Sequence, residues 1–149
     1  MNEPVIRPID AHPPVNVLGE SVRVLHDGTY AIFEQSGPAG VGPPPHQHPW
    51  DEAYLVTEGA IEVLLDGQWR ACPAGTFVHV PGGTVHAYRG LTPRSTFFSI
   101  TTRGNAAQMF VEMDREVGTP PDFGRAFEVA ARAGLVIPPE VLGALAPPS

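Results

Sequence analysis

The most informative part of the chain runs from residue 40 to residue 59 and reads GVGPPPHQHPWDEAYLVTEG. It contains His46, His48 and Glu52, which are separated by even numbers of residues. On an extended strand, side chains an even step apart point to the same face. A second stretch, residues 75–90, adds His86. Three imidazoles and one carboxylate gathered together suit a borderline-to-hard divalent metal, and such a facial set leaves positions open for water or substrate.

The composition indicates one globular domain and disfavours several classes of function. The chain has 149 residues, enough for one compact core, and a net charge of −7, which disfavours nucleic acids and anionic membranes as partners. Cys72 is the single cysteine, so no intramolecular disulfide is expected. Residues 1–14 lack the pattern of a secretory signal, and no apolar run reaches about 18 residues. We therefore expect a cytoplasmic protein without membrane association.

The hydrophobic pattern predicts short strands followed by a partly helical tail. Between residues 21 and 104, β-branched and aromatic runs alternate with Gly, Pro and Asp-Gly turns, which is typical of a β-sandwich or barrel. Residues 1–20 are predicted to form an N-terminal arm, 21–104 a β-barrel, and 105–149 a C-terminal strand or helix extension packed on the barrel. Residues 106–112 fit either a strand or a helix. Residues 122–133 are predicted to be helical, with Asp122 as the N-cap and Gly134 as the stop.

The two histidine-containing stretches resemble the paired motifs of the cupin superfamily. Nine positions fit the intervals of both motifs: Gly40, His46, His48, Glu52, Gly59, Gly75, Pro81, Gly83 and His86. The second motif usually ends in Asn, where this chain has Gly90. The resemblance implies an all-β jelly-roll barrel, or double-stranded β-helix, with a short C-terminal helical segment. It also implies one divalent transition metal (Fe, Mn, Ni, Co, Cu or Zn) bound by His46, His48, Glu52 and His86.

The even-step rule also nominates a substrate pocket beside the predicted metal site. Glu52 is expected to bind the metal and to double as the catalytic base. The pocket candidates are Phe33, Tyr54, Val56, Tyr88 and Phe98, with Phe97 as the alternative to Phe98. Packing in the barrel core explains each aromatic candidate about as well as substrate contact does. His79 is expected to have a structural or surface role, Trp69 is expected on the outer face, and Trp50 is expected to shield the mouth of the site.

Residues 42–48, Gly-Pro-Pro-Pro-His-Gln-His, are similar to a segment of bacterial quercetin-dioxygenase-like cupins. This resemblance implies a metal-dependent dioxygenase acting on an enolic or aromatic, flavonol-like small molecule. One alternative is a non-oxidative metal-dependent cyclase, isomerase or decarboxylase, and another is a non-catalytic small-molecule-binding cupin. Cupins usually pair through their N-terminal strands, so a homodimer formed through residues 1–20 is expected.

Overall fold

The computed structural model describes residues 3–145, which form nine strands, three α-helices and one 3-10 turn, Ile9–Ala11. The strands are β1 (Val15–Val17), β2 (Glu20–Asp27), β3 (Tyr30–Pro38), β4 (Glu52–Glu58), β5 (Ala60–Leu65), β6 (Gln68–Pro73), β7 (Phe77–Val80), β8 (Ala87–Gly90) and β9 (Arg94–Thr102). The helices are α1 (Ala106–Val117), α2 (Phe123–Ala133) and α3 (Pro139–Leu145).

Two antiparallel sheets enclose the main core. The larger sheet has the strand order β1-β2-β3-β9-β4-β7, and the smaller one has the order β6-β5-β8. Alternate residues of both sheets point inward, as the period of a strand requires, and bury one shared apolar cluster. Its members are Tyr54, Val56, Ile61, Val63, Cys72, Val78, Val80, Tyr88 and Phe97. The predicted all-β jelly roll with a short helical segment at its C-terminal side is confirmed.

The C-terminal extension is helical and packs on the larger sheet. Residues 106–112, which fitted either a strand or a helix, form the first part of α1. The carboxylate of Asp122 accepts a hydrogen bond from the Arg125 N–H and caps α2, and Gly134 ends α2 in the left-handed conformation at φ 101°, as predicted. The ring of Phe110 meets Phe33 of β3 edge to face at 5.0 Å between centroids, which joins α1 to the barrel.

The N-terminal arm forms strand β1, which pairs with a strand of the same chain. Strand β1 pairs with β2, with Val15 opposite Val22 and Val17 opposite Glu20. The homodimer expected from this arm stays a prediction. Among the described residues, no helix is both long and apolar enough to cross a membrane.

Gly90 occupies the position where the second motif usually has Asn, and the local packing explains why this chain has a glycine there. The backbone of the segment before residue 40 runs directly against it, with the N–H of Gly40 donating to the Gly90 carbonyl at 2.9 Å. A Cβ at residue 90 would collide with the carbonyl oxygen of Pro38. A side chain at this position therefore requires the two segments to separate.

We predict that Gly90→Ala destabilises the protein by about 1–3 kcal/mol, the usual cost of forcing extra volume into a packed site. Gly124→Ala is the matched control, because a Cβ there meets only the Asp122 carboxylate at an ordinary 3.4 Å and helix α2 favours alanine over glycine by up to about 1 kcal/mol. Urea unfolding of both variants measures the difference. Equal stabilities for the two variants would contradict the close approach at Gly90.

Candidate metal centre

The two histidine-containing segments meet through a pair of backbone hydrogen bonds. The N–H of His46 donates to the carbonyl of His86 at 3.0 Å, and the N–H of His86 donates back to the carbonyl of His46 at 2.9 Å. This isolated antiparallel bridge lies just before β8 and brings residues 40 positions apart side by side. His48 follows two residues later, so its side chain returns to the same face.

A backbone carbonyl fixes the orientation of each imidazole. The Nδ1 atom lies 2.9 Å from the Pro44 oxygen in His46, 3.0 Å from the Trp50 oxygen in His48 and 2.8 Å from the Thr84 oxygen in His86. Because a carbonyl only accepts, each Nδ1 carries the proton in these contacts. With Nδ1 bonded in this way, each ring directs Nε2 away from the backbone, and metal-binding histidines use the same arrangement to present the lone pair of Nε2 to the ion.

The three imidazoles face a common point. One ring nitrogen from each of His46, His48 and His86 lies within 4.8 Å of the other two, and all three residues are buried. The Nε2 atom of His86 is buried without a hydrogen-bond partner in the described part of the chain. Leaving such an atom unpaired costs free energy, which coordination to a cation removes. The donor set therefore fits one metal ion.

The carboxylate of Glu52 completes the cluster from strand β4. Its Oε2 atom lies 2.8 Å from Nε2 of His48 and 3.5 Å from Nε2 of His86. Burial by itself raises the pKa of Glu52, but the hydrogen bond with His48 and the proximity of the His86 imidazole outweigh it and lower the pKa to about 2. Burial and the neighbouring His86 lower the pKa of His46 to about 4. Near neutral pH the cluster therefore offers an ionised carboxylate and a neutral His46, the forms that bind metals.

The part of the chain that holds these residues matches a known domain family. The cupin domain family matches residues 33–98, a span that includes the three histidines and Glu52. This span of the chain therefore resembles a cupin domain. Over 94 residues it is 34% identical to quercetin 2,3-dioxygenase of Bacillus subtilis, an alignment that covers 62% of this chain and 27% of the relative. The chain thus matches only about a quarter of that curated relative's length.

Solved structures share the cupin fold. KdgF from Halomonas sp. superimposes with a TM-score of 0.65 and 23% identity, covering 70% of this chain and 99% of KdgF. The polyketide cyclase RemF from Streptomyces resistomycificus gives a TM-score of 0.60 and 18% identity, covering 67% of this chain and 80% of RemF. At such low identities these similarities establish the fold.

Trp50 is a buried partner of one histidine. Its ring stacks on the imidazole of His48 with centroids 4.4 Å apart and an angle of 8° between the planes. Its carbonyl also receives the Nδ1 contact of the same imidazole. Trp50, which was expected at the mouth of the site, thus packs directly on a candidate ligand. His79 and Trp69 are exposed, as predicted.

The aromatic residues beneath the candidate centre fill the cupin interior. Tyr54, Tyr88 and Phe97 form a mutually contacting trio with centroids 5.0–5.7 Å apart. Phe33 and Val56, also nominated for the pocket, are buried as well. Phe98 is a correction: Phe97 points inward, whereas Phe98 faces the other side of β9 and is only half-buried. The register decides this, because Phe97 lies opposite the inward-facing Val56.

A second buried polar group lies on the larger sheet, around Glu20, and was missed from the sequence. Oε1 of Glu20, at the start of β2, accepts hydrogen bonds from Nε2 of Gln35 at 2.6 Å and from the Tyr88 hydroxyl at 2.8 Å. The hydroxyl of Ser99 donates to Oε1 of Gln35. Each of these polar residues is an even step from an inward-facing apolar neighbour, as Glu20 is from Val22, and this alternation was the available signal.

The environment of Glu20 favours its protonated form. Burial raises its pKa from 4.5 to about 7, although the bonds from Gln35 and Tyr88 work in the opposite direction. The native state therefore holds a proton that the unfolded chain releases. The stabilisation is complete below about pH 4.5 and is lost as the pH rises through about 7.

We predict that Glu20→Gln removes this part of the pH dependence of stability. Between pH 5 and pH 8 the native protein loses on the order of 3 kcal/mol relative to the Gln variant, since the pKa of Glu20 is raised in the folded state. Urea unfolding of the metal-free proteins at intervals across that range measures the effect. Glu140→Gln, which changes an exposed carboxylate, is the control. Parallel pH profiles for native protein and Glu20→Gln would refute the prediction.

Proposed function

We propose that this cupin is a metal-dependent oxygenase that acts on an enolic or aromatic, flavonol-like small molecule. The observation that carries the proposal is the convergence of three oriented imidazole nitrogens within 4.8 Å beside the ionised carboxylate of Glu52. The 34% identity to a quercetin 2,3-dioxygenase supports the reaction class. The aromatic surroundings of the cluster suit a planar, largely apolar substrate.

In this proposal, Nε2 of His46, His48 and His86 and the carboxylate of Glu52 hold one divalent ion. When bound, such an ion supplies a Lewis acid for a substrate oxygen and, if it is redox-active, a centre for dioxygen chemistry. The Glu52 side chain retains 13% of its exposure, whereas those of His48 and His86 retain 4% and 0%. Glu52 therefore marks the open side from which the substrate approaches.

Glu52 is also the group best placed to move a proton. Its lowered pKa keeps it ionised at neutral pH, so it can accept a hydrogen bond from an enol or phenol hydroxyl, and the proton as well where a bound metal would make that hydroxyl more acidic. The hydroxyl of Tyr88 is already committed to Glu20, so Tyr88 contributes its ring to the pocket wall. Tyr54 is two residues from Glu52 on the same strand face, and burial keeps its phenol protonated by raising its pKa well above 10.0. Tyr54 is therefore the better candidate for orienting a substrate oxygen.

A non-oxidative metal enzyme is the second candidate function. Histidine and carboxylate ligands are common to zinc, iron, manganese, nickel, cobalt and copper sites, so the donor set of three nitrogens and one oxygen accommodates zinc as well as the redox-active ions. Zinc has no redox chemistry, so a zinc form polarises a carbonyl or enol without consuming dioxygen. The two functions therefore differ in whether the reaction needs dioxygen and in which metal supports it.

We predict that the protein binds one divalent ion per chain and that His48→Ala or His86→Ala weakens this binding severely. The loss should exceed the roughly 10- to 100-fold that removal of an outer-shell partner costs, because each change deletes a coordinating atom. Calorimetric titration with Zn²⁺ and Co²⁺ measures the affinity. His79→Ala is the matched control, because this histidine is exposed on β7. Unchanged binding by both ligand variants would eliminate the centre.

We further predict that the Fe, Mn, Ni, Co or Cu form consumes dioxygen with a flavonol such as quercetin. Glu52→Gln should abolish turnover, because the amide cannot accept the substrate proton, while His79→Ala should retain it. An oxygen electrode and product analysis measure the reaction, with anaerobic incubations in parallel. Turnover of an enolic substrate without dioxygen by the zinc form would support the non-oxidative function. No oxygen uptake by any metal form with flavonols or diketones would overturn the oxygenase proposal.

A further inference from the structure

The residue between two candidate ligands is bonded to the C-terminal extension. The N–H of Gln47 donates to the carbonyl of Val136 at 2.9 Å, and the N–H of Val136 donates to the carbonyl of Gln47 at 2.8 Å. The segment containing His46 and His48 is thereby held between two backbone partners, His86 on one side and Val136 on the other. Val136 lies outside residues 33–98, which match the cupin family.

Val136 is anchored to the helices by a short, well-packed connection. It lies two residues beyond Gly134, the left-handed cap of α2. Leu135 packs against both the buried cluster between α1 and α2 and the cluster at the barrel surface. The amide of Asn105, at the start of α1, donates to the carbonyl of Ala133 at 3.2 Å. The position of Val136 therefore follows the docking of the helices.

Trp50 makes a second connection between the extension and a candidate ligand. Its ring stacks on His48 and belongs to the same buried cluster as Ala106 and Ala107 of α1. The turn before α1 also packs closely against this ring, since a Cβ added at Gly104 would lie only 2.6 Å from it. Movement of α1 would therefore be transmitted to the imidazole of His48.

We propose that the C-terminal extension is a clamp on the metal-binding segment, in which Val136 positions His46 and His48 through Gln47, and Trp50 positions His48 by stacking. The proposal rests on the metal site proposed above. Outer contacts of this kind fix the direction of a ligand's lone pair and raise metal affinity. By thermodynamic reciprocity, a bound metal must then stabilise the docked extension as much as docking strengthens metal binding.

The backbone connection is tested with Val136→Pro, which removes the donated hydrogen bond because proline has no N–H. Val136→Ala is the matched control, since the side chain of Val136 is 52% exposed and alanine keeps the N–H. We expect Val136→Pro to weaken Zn²⁺ and Co²⁺ binding by about 10- to 100-fold and to shift the visible d–d bands of bound Co²⁺, while Val136→Ala binds as the native protein does. Equal affinities and spectra for the two variants would overturn the clamp.

The stacking contact is tested in the same way with Trp50→Leu and the conservative Trp50→Phe. We expect Trp50→Leu to weaken Co²⁺ binding and Trp50→Phe to restore most of it, because a phenyl ring can still stack on His48. Circular dichroism establishes that each variant is folded. Equal Co²⁺ affinities in Trp50→Leu and native protein would remove Trp50 from the clamp.

Amide hydrogen exchange on the native protein tests the clamp without any substitution. Added Zn²⁺ should slow exchange at the Val136 and Gln47 amides and in α2 more than in β6, which lies in the smaller sheet away from the extension. Equal slowing in α2 and β6 would overturn the clamp even if all variants failed to fold. Absence of Zn²⁺ binding by the native protein would instead eliminate the metal site itself, together with the clamp.

Discussion

The two backbone hydrogen bonds between His46 and His86 are the contact on which the rest of the site depends. They join the segment before β4 to the segment before β8, so they bring candidate ligands from both histidine-containing stretches to one point. The cost of burying three imidazoles is met locally, because a carbonyl accepts from each Nδ1. That solution leaves Nε2 of His86 without a hydrogen-bond partner among the described residues, while Nε2 of His48 contacts Glu52; a cation bound among the three imidazoles would serve as their common partner.

The part of this site that the sequence predicted is the part governed by short-range geometry. His46 and His48 follow from the two-residue period of extended chain, as do Glu52 and Tyr54 on β4. Because residues 49–50 form a bend, the motif interval relates these two pairs to each other. The choice of Phe98 over Phe97 for the pocket was wrong for a related reason. When two adjacent residues are both aromatic, the local pattern does not tell which one points inward. The pairing of β9 with β4, which places Phe97 opposite Val56, is a long-range fact.

Other features could not be predicted because they join residues far apart in the chain. The bridge joins Gln47 to Val136, 89 positions later in the chain (136 − 47). Neither residue belongs to a recognisable motif. The hydrogen bond between Glu20 and Tyr88 joins residues 68 positions apart in the sequence. Glu20 is also the last residue of the segment that was predicted to be an arm. Gly90 departs from its motif, and the sequence gives no reason for this. The fold does, because the backbone of Pro38 lies directly beside Gly90.

The two glutamates in the interior of this barrel have pKa values shifted in opposite directions, and their different surroundings cause the difference. Glu52 has two imidazoles within 3.5 Å, and their hydrogen bonds and charge overcome burial and keep it ionised. Glu20 has only the neutral donors of Gln35 and Tyr88, which do not overcome burial, so its pKa rises to about 7. The negative charge of Glu52 also contributes to the raised pKa of Glu20. The barrel thus holds one anionic carboxylate beside the imidazoles and one acid that keeps its proton to near neutral pH, which leaves Glu52 as the anionic member of the centre.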